Sequence, residues 1–259
     1  MKKESPLPKN VFYDITKFPK GYGLLVFPIS ISRIDHDKGQ SPKQCLDFIS
    51  YFSPQKITEP KVGLNIVYGD SLYMNSLEPA GILKDKYTNM VLRHQNGFLN
   101  LIKKNWEKFQ IEQAFSFQVW GQMYLNYKGS NLYEEIQKIH KLYESDVYFQ
   151  SLIKQDVEYC KRELNQEQIN FFIEEFFITY LWTKKQIIMP NEYVQGRESW
   201  VLNAYPGPQL KGQIYMYQKN PLNLDVPENV YQDCAYDLEA KKLIDFTRID
   251  LDTYNYKYE

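Results

Sequence analysis

The sequence predicts an α/β protein whose doubly wound parallel sheet is flanked by helices. Residues 24–33 (LLVFPISISR) form an apolar run that ends in two serines and an arginine, which is typical of a strand buried on both faces. Residues 42–53 follow an N-cap serine and carry apolar side chains at helical spacing. A second apolar run, residues 62–68 (VGLNIVY), ends in Gly69 and Asp70. Strand, helix and strand at this spacing indicate a parallel crossover unit.

The rest of the chain continues this alternation and adds a block of helices. We expect a first strand over residues 23–32, a long helix over 86–108, a strand over 114–120, helices over 131–143 and 145–163, a further helix from Asn165, and strands over 199–204 and 214–217. No repeat, low-complexity tract or linker interrupts the pattern. We therefore expect a single domain over residues 1–259, with a helical insertion.

Charge is unevenly distributed, although the net charge of the 259-residue chain is only −1. Residues 84–108 contain six basic residues against two acidic ones, whereas residues 222–259 contain nine acidic residues against four basic ones. The near-neutral total argues against a protein that coats nucleic acid with its whole surface. The basic segment nevertheless allows a local nucleic-acid footprint.

The pattern contains no membrane or secretion signal. No run of about 18 apolar residues occurs, so we expect no membrane span. The first ten residues, MKKESPLPKN, contain basic side chains with no apolar core after them, which argues against a secretion signal. The three cysteines are far apart and form no CxxC pair, which favours free thiols in a reducing cytoplasm. We expect a cytoplasmic protein and, since nothing signals an oligomer, a monomer.

Common cofactor and metal motifs are missing as well. The chain has no GxxxxGK[ST], and Gly21 and Gly23 come before the apolar run of the first strand instead of after it. GxSxG is also absent, which weakens an α/β-hydrolase interpretation. His36, His94 and His140 lack the spacing of metal ligands, and we expect His94 and His140 at the surface. We therefore expect no metal and no cofactor.

The helix that begins near Asn165 contains an unusual pair of carboxylates. Its later part, NFFIEEFFITYLW, is apolar on nearly all sides, which is typical of a buried helix, yet Glu174 and Glu175 lie in its middle. A carboxylate among phenylalanines is poorly solvated, so its pKa should rise, and such a glutamate can carry protons near neutral pH. Alternatively, one glutamate lies in an exposed stripe and the other pairs with a lysine or arginine.

Other polar residues follow the strands, where ligands of α/β sheets bind. Ser30 and Arg33 come after the first apolar run, and Tyr205 and Pro206 come after the strand predicted at 199–204. Each also has an ordinary interpretation, as a turn former, a surface charge or a rigid turn. The basic side chains of the helix predicted over residues 86–108 can likewise form an ordinary solvent-exposed face. Taken singly, none of these features decides a function.

Together, these features resemble the tRNA-dependent cyclodipeptide synthases. In that family a nucleophilic serine follows the first strand, as Ser30 does in PIS, and the second strand ends in a pocket tyrosine, which matches Tyr68 in VYGD. The family's basic helix matches residues 86–108, and residues 146–164 look like its helix after the third strand. The buried helix then supplies a glutamate, which matches Glu175.

The resemblance continues into the later strand and covers roughly residues 22–210. A Tyr-Pro pair follows that strand, as Tyr205 and Pro206 do, in the subfamily that has a variable residue where this chain has Arg33. Two positions differ from the family. Its catalytic tyrosine lies four residues before the glutamate, where this chain has Phe171, and its frequent glycine two residues before the serine is Pro28 here. Either this helix matches the family's helix in a shifted register, or another residue supplies the hydroxyl, or activity is impaired.

The resemblance implies a Rossmann-like fold similar to the catalytic domain of class I aminoacyl-tRNA synthetases, without their ATP-binding motifs. It also implies a ping-pong transfer in which Ser30 takes an amino acid from one aminoacyl-tRNA and a second aminoacyl-tRNA completes a cyclodipeptide. Glu175 would relay protons, Tyr205 would position the reacting groups, and the position of Phe171 would be catalytic. The remaining implied contacts are with the amino acid (Tyr68, Arg33 and Pro206) and with tRNA (Arg93, Lys103, Lys104 and Lys108).

Two other functions remain open at this point. The first is a serine hydrolase or acyltransferase that uses Ser30 with His36, although six residues in one loop are poor geometry for a base that must face the nucleophile. The second is a non-catalytic tRNA- or nucleotide-binding module, which the phenylalanine at position 171 makes less remote than a tyrosine there would.

Overall fold

A computed structural model describes most of the chain. The described residues are 22–30, 33–34, 39–51, 62–69, 80–104, 115–119, 132–184, 198–224, 231, 233–240 and 242–257. Within these ranges the strands are β1 (Tyr22–Ile29), β2 (Val62–Tyr68), β3 (Phe115–Val119), β4 (Glu198–Tyr205), β5 (Cys234–Asp237) and β6 (Lys242–Asp245). The helices are α1 (Pro42–Tyr51), α2 (Ala80–Lys104), α3 (Leu132–Ser145), α4 (Val147–Tyr159), α5 (Gln166–Thr183) and α6 (Lys211–Lys219).

The strand order of the sheet is β3-β2-β1-β4-β5-β6. Strands β1 to β5 pair in parallel, and the chain moves outward from β1 in one direction through β2 and β3 and in the other through β4 and β5. This is the Rossmann order, with its reversal between β1 and β4. The predicted Rossmann-like α/β fold is therefore confirmed. At one edge of the sheet, β6 is antiparallel to β5.

Helices cover both faces of the sheet. Side chains alternate along β1, so Val26 packs into one hydrophobic cluster while Phe27 and Ile29 pack into the other. Helices α1 and α2 contribute to the cluster with Phe27, and helices α3 to α6 contribute to the cluster with Val26. No helix in the part of the chain that the structure describes is long and apolar enough to cross a membrane.

Most predicted elements are present, but the strand predicted over residues 214–217 is wrong. That segment belongs to α6, a helix of nine residues. The run Ile214–Tyr217 (IYMY) is rich in aromatic and branched side chains, which favour strands when considered locally. Residues 211–217 are all buried, so no polar face marks the helical period in the sequence. Tertiary packing overrides the local preference here.

The acidic C-terminal part of the chain holds β5 and β6, which the sequence pattern does not predict. Each strand has only four residues, and all four positions of β5 are buried. An apolar/polar alternation cannot be recognised over so short a run. The antiparallel pair begins with Cys234 opposite Asp245 and ends with Asp237 opposite Lys242.

A buried aspartate on α4 holds the start of α6. Asp156 has no exposed surface, and its carboxylate accepts the backbone N–H groups of Lys211 at 2.8 Å and Gly212 at 2.7 Å and the hydroxyl of Tyr256 at 2.8 Å. Desolvation raises the pKa of Asp156 to about 7, although these hydrogen bonds oppose the rise. A side chain at Gly212 would lie 2.5 Å from the ring of Phe176, so only glycine allows this contact between α5 and α6.

We expect Asp156→Ala to destabilise the fold by about 3–5 kcal/mol, because it leaves two buried backbone N–H groups and the partly buried Tyr256 hydroxyl without an acceptor. The matched control is Asp146→Ala. Asp146 is the N-cap of α4; its carboxylate accepts the N–H groups of Tyr148 and Phe149 and the hydroxyl of Tyr215, so its loss should cost about 1–2 kcal/mol. Urea unfolding followed by circular dichroism measures both. An equal decrease in the free energy of unfolding in the two variants would contradict the role of Asp156 in holding the start of α6.

Candidate active site

The candidate site lies where the order of the strands reverses. Pairing of β1 with β2 continues to Ile29 opposite Tyr68, whereas pairing of β1 with β4 stops at Val26 opposite Asn203. The carboxyl ends of β1 and β4 therefore separate and leave a crevice between them, which is the usual ligand site of such sheets. Ser30 follows β1 directly and is partly buried.

Arg33 joins the two sides of this crevice. Its backbone N–H donates to the Ser30 carbonyl at 2.9 Å, which forms a tight turn after β1. Its guanidinium lies 5.5 Å from the centroid of the Tyr205 ring and makes a long hydrogen bond of 3.5 Å with the Pro206 carbonyl. The structure thus brings together Ser30, Arg33, Tyr205 and Pro206, which the sequence predicted as site residues.

The turn after β4 is fixed by contacts with β5. Gly207 has a φ of +96°, a conformation that side chains disfavour, and its N–H donates to an Asp237 carboxylate oxygen at 3.2 Å. The Leu238 N–H donates to the Tyr205 carbonyl at 3.1 Å. These bonds hold Tyr205 and Pro206 at the end of their strand.

Glu175, on α5, lies within electrostatic range of Arg33. Its side chain is partly buried, and desolvation raises the pKa of its carboxyl, while the positive charges of Arg162 and Arg33 lower it. The predicted rise in the Glu175 pKa is therefore confirmed in direction. Arg33 acts electrostatically on Glu175 and contacts Tyr205, so it connects the carboxylate with the residues that follow β1 and β4.

Arg162 reaches α5 because of the way α4 ends. Lys161 adopts the left-handed conformation with a φ of +55°, and the N–H groups of Lys161 and Arg162 donate to the carbonyls of Glu158 and Val157 at 2.8 and 3.0 Å. This pair of bonds is the Schellman motif, here with lysine where glycine is usual. The motif fixes the backbone of Arg162 where the chain turns from α4 towards α5.

The guanidinium of Arg162 lies along one face of α5. It donates to the side-chain oxygen of Gln168 at 2.9 Å and lies 4.3 Å from the centroid of the Phe171 ring. Positions 168, 171 and 175 are three and four residues apart, so they share a helix face. Phe171 is 5% exposed, and its ring face binds the cation. Phenylalanine supplies no hydroxyl at this position. Tyr159, the last residue of α4, is within electrostatic reach of Arg33.

We expect Arg162→Met to shift the acidic limb of the pH–rate profile to higher pH. Removing a positive charge that acts on Glu175 lets desolvation raise the Glu175 pKa further, so more of the carboxyl is protonated at a given acidic pH. The resemblance implies that the unprotonated carboxylate is the active form. Methionine keeps the packing on Phe171. Arg248→Met is the control, since Arg248 is exposed and pairs with Asp245 at 3.0 Å outside the crevice. The rate of product formation is measured at each pH. An acidic limb at the same pH in Arg162→Met and the wild type would refute the electrostatic coupling between Arg162 and Glu175.

Tyr68, predicted as a wall of the amino-acid pocket, is fully enclosed. Its ring has no exposed surface, its hydroxyl lies 2.9 Å from the His94 Nδ1, and burial raises its pKa. Its contact with an amino acid stays a prediction. The surface location expected for His94 was wrong, because His94 is 1% exposed. It shares the inner face of α2 with Val91 and Phe98, at helical spacing that was visible in the sequence.

The predicted tRNA contacts lie on the outer face of α2. Arg93, Lys103 and Lys104 are exposed there. Lys108, from the same prediction, and His36, from the alternative serine-hydrolase mechanism, lie outside the described residues. Among the residues that the structure describes, no three His, Cys, Asp or Glu side chains converge as metal ligands do.

Three residues near the crevice were missed by the sequence analysis. Gln40 is buried against Ser30, and Arg162 lies on Phe171. Glu239, after β5, has its carboxylate near both Gly39 and Gly207. The only signal for Arg162 was the charged loop between two helices, which could have suggested a C-terminal cap. Gln40 and Glu239 lie in polar segments that carry no such signal.

No protein-family model matches the sequence, and no curated protein matches it closely. Among solved structures, a cyclodipeptide synthase from Bacillus thermoamylovorans is 12% identical, covers 84% of this chain and 87% of its own, and has a TM-score of 0.49. A CDPS from Staphylococcus haemolyticus is 13% identical, with coverages of 80% and 87% and a TM-score of 0.49. A cyclodipeptide synthase from Candidatus Glomeribacter gigasporarum, bound to Phe-tRNAPhe, is 14% identical, with coverages of 78% and 84% and a TM-score of 0.43. At these identities and scores, function has to be argued from the residues of this chain.

Proposed function

We propose that the protein is an aminoacyltransferase that joins two amino acids, each delivered by an aminoacyl-tRNA, into a cyclodipeptide. One observation carries the proposal. Ser30 and Tyr205 flank the crevice at the switch point, Arg33 contacts the residues after both strands, and the same guanidinium acts electrostatically on Glu175. A hydroxyl nucleophile and a desolvated carboxylate at one crevice are the groups that acyl transfer with proton relay requires. They are also the residues that the resemblance to cyclodipeptide synthases singles out.

In the first step, the Ser30 Oγ attacks the carbonyl carbon of the ester that joins an amino acid to its tRNA. A bond forms between Oγ and this carbon while the bond to the ribose oxygen breaks, and the serine proton ends on the released ribose hydroxyl. The ester is already activated, so the transfer requires no nucleotide hydrolysis. The product is an aminoacyl-enzyme with a free amino group.

In the second step, that amino group attacks the carbonyl carbon of the ester of a second aminoacyl-tRNA. The amide bond forms while the bond to the ribose oxygen breaks, which releases the second tRNA and leaves a dipeptidyl-enzyme. The terminal amino group then attacks the Ser30 ester, which closes the diketopiperazine ring and restores the serine hydroxyl. Each attack needs an unprotonated amine, and an α-ammonium group has a pKa of about 8. Glu175 takes the proton, because desolvation brings the pKa of its carboxyl closer to that of the ammonium group.

Arg33, Tyr205 and Pro206 position the substrate in this scheme. Tyr205 orients the amino group or the carbonyl group, Arg33 holds Tyr205 from above its ring, and Pro206 fixes the turn. Tyr68 and apolar neighbours form the pocket for the first amino acid. Charged tRNA is a cytoplasmic substrate, so the proposal implies a cytoplasmic enzyme.

Helix α2 supplies the contact with the tRNA acceptor arm. Arg93, Lys103 and Lys104 are exposed, and the resemblance adds Lys108. Lys86, also exposed, and Lys104 lie 18 residues apart and share a face with Arg93, so the basic row is about 27 Å long. Contacts of this kind go to phosphates and release counterions, so binding should weaken steeply with salt.

The test is product formation from a complete set of charged tRNAs, followed by mass spectrometry for diketopiperazines. The matched control contains the same tRNAs uncharged, with free amino acids. A diketopiperazine that forms with charged tRNAs, and does not form with uncharged tRNAs and free amino acids, supports the proposal. Binding of charged tRNA with neither product nor an acyl adduct would instead support the non-catalytic binding module. Cleavage of simple esters without tRNA would support the serine hydrolase.

A further inference from the structure

The side chain of Gln40 takes the place of a missing strand beside Ser30. Gln40 has no exposed surface; its Oε1 accepts the Ser30 backbone N–H at 2.7 Å, and its Nε2 donates to the Pro28 carbonyl at 2.7 Å. The carbonyl of Ile29, between them, accepts the Gly69 N–H at 3.1 Å on the β2 side. Backbone groups of successive strand residues point to opposite sides, so those of Pro28 and Ser30 face the side of β4. There β4 has already separated, and the Gln40 amide completes the pairing.

Gln40 is itself held by a buried polar chain. Its backbone carbonyl is 2.8 Å from the His94 Nε2, and the Cys45 thiol donates to the same carbonyl at 3.4 Å. A carbonyl can only accept, so the His94 Nε2 carries the hydrogen and its Nδ1 accepts from the Tyr68 hydroxyl at 2.9 Å. Tyr68 lies opposite Ile29 in the sheet. The contacts therefore form a closed ring around the end of β1.

We propose that Gln40 is the positioning residue of the nucleophile: its amide fixes the backbone of Ser30 at the crevice, and His94 and Tyr68 hold Gln40 in place. This inference rests on the proposed function, in which Ser30 is acylated. It has one chemical consequence. Since the Ser30 N–H is already bound to Gln40, the oxyanion formed during acylation must be stabilised by other donors.

The test compares Gln40→Met with Val91→Ala. Methionine has a similar length but cannot pair with the backbone. Val91 belongs to the hydrophobic cluster that contains Cys45 and Tyr68, so its truncation weakens the core around this loop and removes no hydrogen bond. At a temperature where both variants are folded, single-turnover acylation of Ser30 is measured with saturating charged tRNA. We expect Gln40→Met to acylate about 30- to 300-fold more slowly, because a misplaced nucleophile loses near-attack geometry. The KM for charged tRNA should not change, and Val91→Ala should acylate at the wild-type rate.

A second variant covers the case in which Gln40→Met does not fold. His94→Phe keeps the ring volume but removes the donor to the Gln40 carbonyl, and we expect about 10-fold slower acylation. Wild-type rates in every folded variant of Gln40 and His94 would overturn the positioning role and leave the proposed function standing. Absence of any Ser30 adduct in the wild type would instead overturn the proposed function.

Discussion

Replacing Ser30 with alanine is expected to abolish diketopiperazine formation, with a loss of at least about 1,000-fold, because no covalent intermediate can form without the hydroxyl. The fold should persist. Arg33 and Gln40 contact only the backbone carbonyl and N–H of Ser30 in the hydrogen bonds described above, and alanine keeps both groups. Product is quantified by mass spectrometry with saturating charged tRNA.

Ser41→Ala is the matched control for this loss. The Ser41 hydroxyl donates to the Gln44 side-chain oxygen at 2.8 Å at the start of α1, so its removal weakens a helix cap and spares the crevice. Its catalytic rate should stay that of the wild type. Product from Ser30→Ala at a rate close to that of Ser41→Ala would rule out Ser30 as the nucleophile.

Replacing Glu175 with glutamine should lower diketopiperazine formation about 100- to 1,000-fold, which is the usual contribution of a positioned proton carrier. Glutamine keeps the shape of the side chain and cannot take a proton from an ammonium group. We expect the aminoacyl adduct on Ser30 to accumulate, because the first transfer does not use the amino group. Peptide mass spectrometry of quenched reactions measures the adduct, and the cyclic product is measured in parallel.

Glu174→Gln controls for the loss of a carboxylate on α5. The two positions are about 100° apart around the helix, so only one can face Arg162 in the same way. We expect Glu174→Gln to form product at nearly the wild-type rate. Unimpaired cyclisation in Glu175→Gln would remove this residue from the mechanism.

The parts of the fold that could be predicted from sequence are those with strong, long patterns. Strand β2 has the predicted bounds, Val62–Tyr68, and α1, β3 and β4 begin and end within two residues of their predicted limits. Strand β1 ends at Ile29, three residues before its predicted end, because Ser30 already belongs to the turn. Strands buried on both faces are continuous apolar runs, so abrupt polar ends mark their limits.

The elements that could not be predicted depend on tertiary contacts. Helix α6 starts where Asp156, from a distant helix, accepts its first N–H groups, and no local residue caps it. Strands β5 and β6 are too short to show a period. His94 was assigned to the surface on its residue type alone, although its spacing from Val91 and Phe98 puts it on the buried face of α2.

For the site, the sequence could identify residues that directly follow strands but not those that support them. Ser30 and Tyr205 are marked by the strand ends before them. Gln40 lies ten residues after Ser30, and only the separation of β4 from β1 gives its amide a partner. Arg162 lies against α5 after a left-handed lysine, and the sequence does not signal this turn because glycine is the usual residue there.

The most direct test of the central claim is the chemical state of Ser30 after brief exposure to charged tRNA. The reaction is quenched in acid, the protein is digested, and the peptide that contains Ser30 is analysed by tandem mass spectrometry. The proposed mechanism predicts a mass increase of one aminoacyl residue, localised to the Ser30 side chain, that appears with charged tRNA and is absent with uncharged tRNA. Product formed with Ser30 unmodified, or an adduct on another residue, would contradict it.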